Sequence, residues 1–131
     1  MVKHKIKYDP RKNFYLTLLL FSDFKELNKY NKKTLKGEEE VEALFVYSKY
    51  KNKLGDVLIH KDTSFSSTIH ESLHACFCYF KTLKLDIEEE EEYYCSVIEY
   101  LVGQIYPITG FKNSPDPEKE FLNSEEDYNF P

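Results

Sequence analysis

With 131 residues the chain suits one packed domain and is too short for two. Hydrophobic residues make up 41% of it and aromatics 16%, led by 11 Tyr and 10 Phe, a content that supports a packed interior and excludes a disordered chain. Eighteen basic against 23 acidic residues leave a net charge of −5, which argues against a nucleic-acid partner bound by phosphate neutralisation.

The N-terminus is basic (Lys3, Lys5, Lys7, Arg11, Lys12) and precedes the apolar run Phe14–Phe21. That run is short, and Ser22-Asp23-Phe24-Lys25 follows it in place of a small-x-small cleavage site, so it reads as a buried strand and not as a leader. No stretch has the length needed to span a membrane. Ser22 or Asp23 can cap a short helix reaching about Tyr30, with Phe24 and Leu27 inward. The charged stretch Lys29–Glu40, which contains Gly37, reads as a loop. Val41–Tyr50 alternates as a strand, with Leu44, Val46 and Ser48 set against Phe45, Tyr47 and Lys49. Asn52-Lys53-Leu54-Gly55 is turn chemistry, and Asp56–His60 reads as the returning strand, giving a small, mostly antiparallel sheet.

Ser64, Ser66, Ser67 and Thr68 are candidate caps for a helix from about Ser66 to Leu83, whose apolar positions Ile69, Leu73, Cys76, Phe77, Phe80 and Leu83 follow helical spacing. An acidic start before Tyr93 opens a second helix that buries Tyr94, Val97, Ile98, Leu101 and Ile105. Pro107 and Gly110 are expected to end it. The domain therefore runs over 1–110. Residues 111–131 form an acidic, Pro-containing tail whose Phe121, Leu122, Tyr128 and Phe130 offer contacts for the domain or a partner protein. An odd count of three cysteines fits a reducing cytoplasm better than a disulfide framework. Cys76 and Cys95 read as core. Cys78, one turn past His74, reads as a buried thiol more readily than as a soft ligand.

Within the first of these helices stands His70-Glu71-Ser72-Leu73-His74, an H-E-x-x-H pattern. Residues four apart lie one above the other on a helix, so His70 and His74 can offer imidazoles to one metal ion. Glu71, about 100° around the helix, can reach a metal-bound water without being a ligand, as the general base of a hydrolase. A catalytic zinc needs a third protein ligand and an open fourth position. The metzincin continuation, x-x-Gly-x-x-His, is excluded because those positions hold Phe77 and Phe80.

The motif, followed by the helix that opens with Glu88–Glu92, resembles the small gluzincin-like zinc metallopeptidases, most closely the compact type carried by bacteriophages and mobile elements. The resemblance covers roughly residues 42–106 and rests on H-E-x-x-H together with Glu92-Tyr93-Tyr94-Cys95 and the apolar helix after it. It implies a minimal zincin-like α+β fold, one Zn²⁺, a peptide or protein substrate and a third ligand from the second helix. Glu92 is the favoured ligand, then Glu88, with Glu99 as an alternative ligand or a support for one. Large members often carry Asp four residues after the ligand glutamate, where this chain has Ser96. Tyr106, Tyr93 and His60 are candidates for stabilising the oxyanion. Two further readings stay open, a non-catalytic, zinc-stabilised interaction protein such as a phage factor that binds a host protein, and a metal-dependent cell-wall amidase. A cytoplasmic location, in the host if phage-encoded, fits each of the peptidase and interaction readings.

Overall fold

A computed structural model describes residues 1–110. The chain runs β1 (Val2–Lys7), β2 (Tyr15–Phe21), α1 (Phe24–Lys33), β3 (Leu44–Tyr50), β4 (Lys53–His60), α2 (Phe65–Thr82) and α3 (Glu91–Thr109). The four strands form one sheet in the order β1-β2-β4-β3. The outer pairs, β1–β2 and β3–β4, are antiparallel, and the central pair β2–β4 is parallel. The class is α+β with a mostly antiparallel sheet, as the sequence suggests, but its middle seam is parallel.

Helices cover both faces, which is why β2 reads as a continuous apolar run. Leu16 and Leu18 of β2, with Val57 and Ile59 of β4, face the side of α2 and α3, joining Cys76, Tyr79, Phe80, Val97, Leu101 and Ile105. Leu19 and Phe21 turn the other way with Leu58, onto Leu27 of α1. Phe45 packs on the first cluster and Leu44 and Val46 on the second, so the alternation read in β3 is observed. Each of these fully buried leucines contributes roughly 1.5–3 kcal/mol of burial.

Two local expectations are corrected, and one strand is added to those the sequence suggests. The added strand is the basic N-terminus, where Lys3, Lys5 and Lys7 alternate with Val2, His4 and Ile6 and only Ile6 is buried, the pattern of a lysine-rich edge strand. Pro107 does not end α3, which continues to Thr109. Gly110 stops it in the left-handed region (φ 61°), its N–H donating to the Tyr106 carbonyl. Pro107 forgoes one backbone N–H of the helix without ending it, and the left-handed glycine is the terminator. Cys95 is exposed, while Cys76 is buried as expected. The expectations for the tail lie outside the described residues.

The α1 helix is capped by Asp23, whose carboxylate accepts from Glu26 N–H, and extends to Lys33 into the stretch read as loop. For α2 the cap is Ser64, accepting from Ser67 N–H at 3.1 Å. At the edges, helix side chains satisfy strand backbone. Gln104 of α3 accepts from Lys7 N–H (2.9 Å) and donates to the Lys7 carbonyl (2.7 Å), standing in for a strand neighbour of β1.

A polar network fastens the β1–β2 loop to the helices. The buried Asp9 carboxylate accepts from Arg11 N–H, Nε and Nη2 at 2.8, 3.0 and 2.9 Å, and from Tyr93 Oη at 2.6 Å. Tyr93 Oη lies 2.7 Å from Tyr79 Oη, and the Tyr79 ring stacks on Tyr8. The hydrogen bond from the Arg11 guanidinium holds the Asp9 carboxyl well below the usual carboxylate range. Because the folded-state value is depressed, this stabilisation is present in full above the unfolded value near 4 and is lost as pH falls below it. Asp9→Asn is expected to destabilise the fold by about 2 kcal/mol at pH 7. In urea titrations the gap to the native chain should shrink as pH drops from 5 towards 2. A constant gap would show that the charge of Asp9 is not what stabilises the loop.

Candidate metal centre

The α2 helix carries its buried stripe, Thr68, Ser72, Ala75, Cys76, Tyr79 and Phe80, against the sheet. That orientation leaves His70 and His74 exposed and side by side on the outer surface, and turns Glu71 towards the β3 edge. The two imidazoles converge. Their Nε2 atoms lie 3.2 Å apart, with ring centroids at 4.9 Å and planes at 76°. Two nitrogens bound tetrahedrally to one zinc, each at about 2.0–2.1 Å, would stand about 3.3–3.4 Å apart. The separation of the two nitrogens is close to that spacing.

Glu71 lies beside both rings and is half-buried. Its Oε2 accepts from the backbone N–H of Phe45, on the outer edge of β3, at 2.6 Å. Burial pushes its carboxyl up, while the Phe45 hydrogen bond and the two neighbouring imidazoles pull it back down. Sequence reasoning had no access to Phe45 as a partner, because the contact is made by a backbone group and depends on which strand lies at the edge.

The other candidates are placed elsewhere. Among the described residues, no group of three or more His, Cys, Asp and Glu side chains is close enough to hold one ion. The face of α3 that meets α2 is aromatic: Tyr94 lies 5.7 Å from Phe77 and 5.3 Å from Phe80, centroid to centroid. Glu99 lies on the side of α3 towards β1, in a depression shared with Ser96 and with Gln104, the residue bound to Lys7. Glu92 is exposed and one turn before Ser96, on that same stripe. Glu88 is exposed in the turn before α3, beyond Phe77 and Lys81 and not at the imidazoles. The structure thus brings together His70, Glu71 and His74 and does not bring Glu92, Glu88 or Glu99 to them.

The oxyanion candidates are likewise dispersed. Tyr93 donates to Asp9 in the network above. His60 ends β4 on the α1 side, its Nε2 3.0 Å from Glu42 Oε2, its Nδ1 accepting from Asp62 N–H and its ring edge-on to Phe24. Tyr106 is exposed near the end of α3. Cys78 is half-buried against Leu54, and burial raises its thiol, as suits an inert packing group. No helix among the described residues is long and apolar enough to cross a membrane. A scan of protein-family models and searches of curated proteins and of solved structures each return no match to the chain.

Proposed function

We propose that the protein is a zinc-dependent hydrolase, a small metallopeptidase, with His70 and His74 as metal ligands and Glu71 as general base. The observation that carries this reading is the 3.2 Å approach of the two Nε2 atoms, with a carboxylate anchored beside them. A zinc ion held there would supply a Lewis acid for the scissile carbonyl and a water of lowered pKa. Glu71 Oε2 is held by Phe45 N–H, which leaves Oε1 to take the proton of the attacking water. The same carboxyl then returns that proton to the leaving amine nitrogen as the C–N bond breaks. His70 and His74 would hold the ion through their Nε2 atoms.

The hydrogen bond from Phe45 N–H to Glu71, which ties α2 to β3 without need of chemistry, favours one other reading, a zinc-stabilised interaction protein without turnover. Metal analysis of the purified native chain and of His74→Ala tests the site common to both. About one zinc per chain is expected in the native protein and less than a tenth of that in the variant. If neither holds zinc, both readings fall. Zinc without any Glu71-dependent cleavage would favour the interaction protein.

A further inference from the structure

Beyond the His pair, α2 forms one wall of an open groove of about 1130 Å³. Phe77 and Cys78 follow His74 by one turn on α2. Across from them stands Tyr47, two residues along β3 from Phe45, the residue that holds Glu71. The groove therefore begins where the candidate metal centre ends. Its apolar surface includes Tyr47 and Phe77, 58% and 53% exposed, two of the large aromatics that this chain leaves uncovered. Leu85 and Ile87 continue the groove to the turn before α3, where Asp86 and Glu88 close it.

Charge is distributed unevenly along this path. Lys81 lines the groove, but between Lys81 and Glu92 the chain sets six carboxylates against two lysines. Asp86 accepts from the N–H groups of Glu88 and Glu89, which fixes the turn, and the run Glu88–Glu92 is exposed. Among the described residues none of these five glutamates is ion-paired. The far end thus attracts cations, and the near end offers aromatic surface.

The distances set the spacing of a ligand. Lys81 stands seven positions after His74, about 10 Å along the helix at 1.5 Å per residue, and the acidic turn with Asp86 and Glu88 lies beyond it. An extended peptide at roughly 3.3 Å per residue passes Lys81 after about three residues and meets the carboxylates only further on. We infer that this groove is the specificity subsite of the hydrolase proposed above, and that it takes an extended polypeptide with a large aromatic side chain beside the His pair and basic residues more than three positions further on, at Asp86 and Glu88. The inference rests on that proposal for its catalytic meaning and on the groove alone for binding.

Fluorescence anisotropy with a labelled peptide carrying Phe followed at the fifth and sixth positions by Lys-Lys tests it, on the full native chain and on His74→Ala. The peptide is expected to bind at least tenfold more tightly than its Glu-Glu counterpart and its Phe→Ser counterpart. Phe77→Ser, a change at an exposed position, and the double change Glu88→Lys with Glu89→Lys should each weaken it about tenfold. Binding should also weaken as salt is raised, since the carboxylates are solvent-exposed. Equal binding of the Lys-Lys and Glu-Glu peptides overturns the inference, as does undiminished affinity in Phe77→Ser. Loss of binding in His74→Ala overturns it too, because the imidazoles and not the groove would then hold the peptide. Retained preference in a chain that carries no zinc leaves the groove standing and removes the hydrolase.

Discussion

Glu71→Gln is expected to lower peptide hydrolysis by about 10²–10⁴-fold, the usual contribution of a positioned general base, while zinc content stays near that of the native chain. The substitution keeps the size of the side chain and an oxygen able to accept from Phe45 N–H. It removes only the capacity to take up and deliver a proton. The readout is therefore a fall in kcat with little change in KM or in unfolding midpoint. Equal cleavage by native and variant preparations would identify a contaminating peptidase and leave Glu71 as a tether between α2 and β3. A loss of zinc together with activity would point instead to a carboxylate that orients the imidazoles.

Gly55→Ala is the second change with a large expected effect, on stability. Gly55 lies in β4 opposite Tyr47 of β3. A Cβ there would overlap the Val46 carbonyl oxygen and come within 2.8 Å of the Phe45 ring. Backbone cannot give way as a flexible side-chain end can, so β3 must move off β4. Such overpacking is expected to cost about 3 kcal/mol. Because Phe45 also holds Glu71, the displaced strand should carry the carboxylate out of place. Urea denaturation would read the first effect and peptide cleavage the second. An unaltered unfolding midpoint would mean that the β3–β4 pair is looser than its hydrogen bonding indicates.

The elements that sequence reasoning finds are those whose pattern follows from their own burial. The apolar repeat of α2, the continuous run of β2 between two helical layers and the alternation of β3 are each imposed by local faces. His70 and His74 are legible for the same reason, because a spacing of four on a helix fixes their approach before any tertiary contact. What escapes depends on long-range arrangement. The parallel β2–β4 seam forms between strands separated by α1 and β3, and nothing in either strand records its partner's direction. β1 carries a single buried residue, too little for its period of two to stand out against five basic side chains nearby. The bearing of Glu92 and Glu99 depends on how α3 rolls against α2. Tyr94 and the side chains buried on the sheet fix that roll, and it takes the glutamates to the far side.

The two side chains that close the sheet have a consequence for how this protein behaves at high concentration. An open sheet exposes two rows of unpaired amides, each a template on which another chain can add a strand and begin a fibre. Here Gln104 occupies one row at Lys7 and Glu71 the other at Phe45. Lysines at positions 3, 5 and 7 add mutual repulsion on the first side. The carboxylate proposed for proton transfer is thus also a guard on the β3 border. Selection acting to keep this chain from self-association would preserve an acceptor at position 71 even in a descendant that had given up chemistry.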